Sequence, residues 1–152
     1  MQHSFTPHIT VATVVTREFR GHTQYLMVEE RCKDSNLLVF NQPAGHVEAH
    51  ESLVDAACRE TLEETAYQVE ITALIGHSRY EAANGSTYFR TTFAADLAIY
   101  HDDAILDEDI HKVHWLSYAE IIALSARMRS PLVIKSINRH RDGQIYPLSV
   151  IY

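Results

Sequence analysis

Four residues of this chain, Arg59, Glu60, Glu63 and Glu64, combine charge and spacing in a way that does chemistry. At about 100° per residue the three glutamates project within roughly 100° of arc on one helix face. Carboxylates so close repel one another unless a proton or cation sits among them. An all-oxygen, high-charge donor set suits a hard divalent ion, Mg²⁺ or Mn²⁺, which keeps part of its water and binds phosphate oxygens. Arg59 can clamp a carboxylate through its two-pronged guanidinium and so orient the cluster. An acidic helix face is more often merely solvated, so the surrounding residues decide the matter.

Upstream lies a loop that begins at Gly45 and carries Glu48 and Glu51. Glu51 either favours the start of the following helix or pairs with Arg59. His46 and His50 flank the same loop. Arg90 stands inside an otherwise apolar, threonine-rich stretch, and a buried arginine needs an anionic partner, which a substrate phosphate or an acidic side chain would supply equally well. Tyr80 and Tyr88 bracket the dipeptide Asn84-Gly85 and either pack in the core or stack on a ring.

Loop and helix together resemble the box of the Nudix hydrolases. That pattern needs a glycine, a glutamate six residues on, Arg-Glu eight after that, and Glu-Glu following two more. Gly45, Glu51, Arg59, Glu60, Glu63 and Glu64 stand at those places. Thr61 replaces the usual aliphatic residue and Ala66 the glycine that normally ends the helix. The segments NQPAGHVEA, PHITVATVV and RSPLVIKSI are similar to the NudJ phosphatase branch, so the resemblance covers nearly the whole chain. It implies an α/β/α sandwich with a mixed central sheet as a single Nudix domain over residues 1–152. The activity it implies is metal-dependent hydrolysis of phosphoanhydride bonds in nucleoside di- and triphosphates and in thiamine-type pyrophosphates.

The resemblance also assigns roles. Glu60 and Glu64 are the expected metal ligands, with Glu63 next, as ligand or as the group that orients the attacking water, and the carbonyl of Gly45 or Ala44 completing the shell. Glu63, Glu60 and Arg59 form the expected catalytic group; His46, Arg90 and Glu48 are the expected substrate contacts. The general base varies within the family and is often a loop residue. Here that loop is Tyr100 to Asp109, with Asp102, Asp103, Asp107, Glu108 and Asp109 as candidates, the last three foremost. The proline and tyrosine that mark the ADP-ribose and dinucleoside-polyphosphate branches downstream of the box are missing. Another Nudix pyrophosphohydrolase, acting on nucleotide sugars or dinucleoside polyphosphates, is the alternative, followed by a non-catalytic nucleotide-sensing module.

Regular elements must hold these groups. His8 to Thr16 and Gln24 to Glu29 read as strands around a turn at Arg17 to Thr23. Leu37 to Phe40 is short and apolar, and Pro43-Ala44-Gly45 breaks regular pairing. Ser52 caps the box helix, whose apolar stripe is Val54, Cys58, Leu62 and Thr65. With alanine at position 66, the helix is expected to run on toward Tyr67 without a left-handed residue. Asn84-Gly85 turns a hairpin between Val69–Ile75, extending toward Tyr80, and Thr87–Ile99. Ile110 to Leu116 is a further strand, Ser117 to Glu120 a capping box, and Pro131 to His140 a last helix.

At 152 residues, with 46% hydrophobic and 22% charged residues, this is the size and composition of one globular domain. A net charge of −7 leaves no basic footprint for nucleic acid; bound divalent ions would reverse the field where phosphates sit. No apolar run is long enough to span a membrane, and residues 1–10 lack the pattern of a signal peptide. Cys32 and Cys58 form no zinc pattern with the ten histidines. The expected setting is the cytoplasm, the partner a small phosphorylated metabolite, and the assembly a monomer or homodimer.

Overall fold

The computed structural model describes residues 4–152. Seven strands form one mixed sheet: β1 (His8–Phe19), β2 (His22–Arg31), β3 (Leu38–Asn41), β4 (Ala44–His46), β5 (Tyr67–Glu81), β6 (Thr87–Tyr100) and β7 (Ile110–Ser117). The order is β3-β2-β1-β6-β5, with β4 paired to β1 and β7 to β2. Among the strands of the described residues, only β1 and β6 pair in parallel. Helix α1 (Leu53–Thr65) covers one face, and α2 (Tyr118–Ala123) and α3 (Leu132–Arg141) cover the other. This is the mixed α/β/α sandwich that the resemblance implies.

Alternation along β1 builds both cores. Val11 and Val15 point with Leu26, Phe93 and Ala95 toward α1. Val14 joins Met27, Ile75, Ile121, Val133 and Ile137 on the opposite face. One strand apolar on both sides is what a central position requires.

Strand β1 is also where the sheet divides. Its second half pairs with β2 from Thr16↔Tyr25 to Phe19↔His22, so the turn contracts to Arg20-Gly21, both at positive φ. That two-residue hairpin is tighter than the seven-residue turn the composition indicates. Its first half pairs instead with β4, through Thr10↔His46 and Ala12↔Ala44. Pro43-Ala44-Gly45 therefore does not break pairing as expected: Pro43 supplies a carbonyl to the Thr13 N–H at 3.0 Å, and the next three residues satisfy a strand edge that would otherwise be open.

Helix α1 begins as expected, with Ser52 Oγ accepting from the Asp55 N–H. Its deepest line differs from the expected stripe. Ala56, Ala57, Thr61, Glu64 and Thr65 are the buried residues, whereas Val54 and Cys58 pack only at the margin and Leu62 is half-buried. Two alanines let the helix lie close to the sheet, and a threonine interlock replaces an apolar contact. Thr61 donates to the Ala57 carbonyl at 2.7 Å, and its oxygen lies 2.8 Å from that of Thr13 on β1.

The end of α1 also corrects the expectation. Ala66 is left-handed, at φ 63° and ψ 6°, and its N–H closes on the Leu62 carbonyl. Running on would cost the Tyr67↔Tyr100 pair with which β5 starts, and the hydrogen bond that Trp115 donates to the Tyr67 hydroxyl. Strain of about 1–2 kcal/mol in a left-handed alanine outweighs roughly 0.8 kcal/mol for its one buried methyl. Ala66→Gly should therefore stabilise the fold by about 0.5–1 kcal/mol in denaturant titration. A destabilised variant would show that methyl packing dominates.

Candidate active site

Glu64 is 6% exposed at the C-terminal end of α1, where Oε2 accepts the Ala44 N–H at 3.0 Å. One turn earlier, the Glu60 carboxylate lies against the Cα of Gly45. A β-carbon on Gly45 would stand 2.1 Å from Glu60 Cδ, so the glycine is required by space rather than by a special φ. Burial pushes both carboxyls up, Glu64 well above the ordinary range, with neighbouring acidic groups adding to the effect.

Arg59 holds the arrangement together. Nε and Nη2 grip both oxygens of Glu51 at 2.9 and 2.6 Å. Nη1 donates to Glu60 at 2.9 Å and to Glu63 at 3.0 Å, and Nη2 also reaches the His46 carbonyl. One guanidinium thus ties the loop to three carboxylates of the box, with Glu51 as the strongest influence on it. Glu51 also accepts the Glu48 N–H, and Arg59 with this bond holds its carboxyl down at about 2.

The third acidic group facing Glu60 and Glu64 comes from the loop between β6 and β7. Ligand atoms of Glu60, Glu64 and Asp107 all lie within 4.8 Å of one another. The loop is pinned to α1 by the His101 N–H on the Ala66 carbonyl at 2.9 Å and the Asp107 N–H on the Glu63 carbonyl at 3.0 Å. Asp109 turns away to Lys33 at 2.9 Å, and Glu108, Asp102 and Asp103 are exposed.

The remaining expected residues divide. Glu63 stays at the rim, its side chain 43% exposed beside Arg59, and is not among the three clustered ligands. Glu48 is more open still and 3.8 Å from Arg59. The exposed His46 ring meets His8, with Nδ1 of His8 and Nε2 of His46 3.0 Å apart. Arg90 is buried, gives Nη2 to Gln42 at 2.6 Å, and is lowered to about 10 by burial. Its Nε has no protein partner among the described residues.

Two groups near the site were not singled out from the sequence. Glu30 on β2 is buried, accepts from Asn41 and pairs with Arg129 at 3.3 Å; His8 on β1 meets His46 on β4. Glu30 sits in an acidic pair with Glu29 on a strand, where spacing alone carries no sign of a site.

A model of the NUDIX domain matches residues 6–135, and the chain belongs to the Nudix family: it is a Nudix hydrolase. It is 40% identical over 147 residues to the phosphatase NudJ of Escherichia coli K12, covering 97% of this chain and 92% of that protein. A solved NUDIX hydrolase from Nitrosomonas europaea superposes with a TM-score of 0.91 at 37% identity, covering 97% of both chains. The NUDIX domain of Shewanella oneidensis NrtR, solved with ADP ribose, shares the fold at a TM-score of 0.71 and 17% identity over 90% of this chain and 88% of that one.

Two measurements test the geometry. Gly45→Ala should fold while displacing the flexible Glu60 carboxylate, lowering turnover about a hundredfold; unchanged turnover would mean that Glu60 has no fixed position to lose. The Glu51–Arg59 pair sets an acid dependence. A carboxyl at about 2 when folded, against 4.5 ordinarily, stabilises the fold above pH 4.5 and loses that effect as pH falls toward 2. The melting-temperature gap between the natural protein and Glu51→Gln should accordingly be widest near neutrality and narrow below pH 4.5. A gap that widens on acidification would contradict the pairing.

Proposed function

We propose that this Nudix hydrolase is a NudJ-like phosphatase that, with Mg²⁺ or Mn²⁺, cleaves phosphoanhydride bonds in nucleoside di- and triphosphates and in thiamine-type pyrophosphates. The observation that carries the reading is the convergence of Glu60, Glu64 and Asp107 within 4.8 Å on a chain so similar to NudJ. The donor set is all oxygen, two of its three members are largely shielded from water, and burial together with like charges disfavours their ionised forms unless a counter-charge is present. These three side chains, with the carbonyl of Gly45 or Ala44, would hold the cation. Such an ion neutralises charge on phosphate oxygens and makes water more acidic.

The chain's own groups do the rest. Arg59 keeps Glu60 and Glu63 in fixed positions. Glu63, open to solvent at the rim, orients the attacking water and takes its proton as the water oxygen bonds to phosphorus and the bridging P–O bond breaks. The fragment on the far side of that bond, a phosphate or the rest of the substrate, leaves with the electron pair. His46, Arg90 and Glu48 remain the proposed substrate contacts: His46 and Glu48 are exposed, whereas Arg90, buried against Gln42, would act on bound phosphate through its charge. No helix among the described residues is long and apolar enough to cross a membrane, in keeping with a cytoplasmic enzyme working on small metabolites as a monomer or homodimer, without nucleic acid.

A panel of phosphorylated metabolites with Mg²⁺, scored for phosphate against pyrophosphate, tests the assignment. Glu60→Gln and Glu64→Gln should each lower turnover by about two to four orders of magnitude while the fold persists. Mg²⁺ should raise the melting temperature of the natural protein by mass action and do so far less in Glu64→Gln. Near-normal turnover in either variant at saturating Mg²⁺ would overturn the ligand assignment.

A further inference from the structure

Beyond the carboxylates, the same sheet carries an aromatic group of which the proposed hydrolysis uses only His46. Even-numbered residues at the start of β1 lie on the face that α3 covers farther along, where Val14 enters the core. His8 and Thr10 precede Val14 on that face. Thr10 pairs with His46 on β4 and His8 with Tyr88 on β6. The three strands therefore raise His8, His46 and Tyr88 together.

The rings are in contact. His8 stacks on Tyr88 with centroids 4.7 Å apart and planes 18° from parallel. His46 meets His8 edge-on at 5.1 Å. Both histidines are exposed and Tyr88 is half-buried, so the cluster adds little to the core. His8, though neither His46 nor Tyr88, also borders a shallow, open groove between Ser4–Thr6 and the hairpin 84–87. The metal end lies across the edge strand β4: Gly45 turns toward the Glu60 carboxylate on the α1 side, and the next residue, His46, turns its ring to the other face while its carbonyl takes Arg59 Nη2. A ligand joining the two ends passes around that edge.

The histidine pair has a hydrogen-bonding property independent of which ring holds the shared proton. If Nδ1 of His8 donates to Nε2 of His46, neutral His8 has an acceptor at Nε2 and neutral His46 a donor at Nδ1. If the donor is His46, the two outer nitrogens exchange roles. Neither outer nitrogen has a hydrogen-bond partner among the described residues. The pair thus offers one donor and one acceptor in either state, and one proton shift adapts it to keto or amino edges.

We infer that His8, His46 and Tyr88 form the subsite for the heteroaromatic ring of the phosphorylated substrate, stacking on it and reading its polar edge while the phosphates extend to Glu60 and Glu64. This rests on the proposed phosphoanhydride hydrolysis for its phosphate end only. The ring is planar and hydrogen-bonding, and it arrives either on a nucleotide or on a sugar-free pyrimidine.

The test joins binding and kinetics. With Mg²⁺ present, cytidine monophosphate, an aminopyrimidine phosphate and inorganic phosphate are titrated in turn while the His8 and His46 ring protons are followed by NMR. Ring-current shifts with either ring-bearing probe and none with phosphate support the subsite. A response to one probe alone identifies nucleotides or sugar-free pyrimidines as the source. Independently, Tyr88→Ala and His8→Ala should lower the ratio of kcat/KM for a ring-bearing diphosphate to that for inorganic tripolyphosphate by roughly tenfold, the scale of a lost stacking contact. Tyr88→Phe, which keeps the ring, should preserve the ratio. Unperturbed histidine resonances with both ring-bearing probes overturn the inference even if hydrolysis is robust, as does an unchanged ratio in Tyr88→Ala. Absence of any hydrolysis overturns the proposed function instead, and the resonances still decide the subsite.

Discussion

Like charges held at close quarters are the constraint around which this molecule is built. Glu51, Glu60 and Glu63 all touch the single guanidinium of Arg59, and Glu64 lies deeper, on a backbone N–H. Removing such groups from water costs more than one partner returns unless every remaining lone pair is addressed. The fold answers with the Ala44 amide, the bare Cα of Gly45 and the guanidinium fork. What is left uncompensated, on Glu60 and Glu64 facing Asp107, is demand for a cation. The same local repulsion therefore makes the metal-free site costly and a divalent ion welcome.

Precision at that site depends on how α1 is fixed to β1. An aliphatic contact at position 61 would tolerate small rotations of the helix. The Thr13–Thr61 hydrogen bond, with Thr61 fully buried, is directional and sets which residues face the loop. Because Glu60 and Glu64 neighbour Thr61 on the helix, this interlock fixes where their carboxylates point. The β1–β4 pairing sets the other wall, since the residues that pair with β1 are the ones that receive Glu60 and Glu64.

Much of this was legible in the amino-acid order, for identifiable reasons. The box residues announce themselves by fixed spacing on a helix, and their clustering about Arg59 follows from helical geometry. The hairpin at Asn84-Gly85 and the caps at Ser52 and Ser117 follow from local chemistry, while the sandwich was implied by the family resemblance. Long-range choices were not legible. Five loop acids were candidates, Asp107, Glu108 and Asp109 foremost, until the loop's two hydrogen bonds to α1 singled out Asp107. Ala66 took a strained conformation because β5 needs Tyr67, a tertiary demand that overrides local preference. Arg90, for which a phosphate or an acidic side chain would have served equally well, is buried against Gln42, because alternation on β6 turns it to the covered side of the sheet.

The parallel pairing of β1 with β6 has a consequence in time. His8 and Tyr88 are partners in the sheet yet stand about eighty residues apart in the chain. Closing so large a loop is slow in entropic terms and is recovered only when both strands are present. During synthesis the acidic helix therefore leaves the ribosome before β6 exists to complete the sheet beneath it, and well before Asp107. A half-made chain can fold its first hairpin but cannot assemble the carboxylate triad. Assembly of the acidic cluster thus arrives late and all at once, so the site doubles as a report that β6 and the loop through Asp107 have joined the sheet.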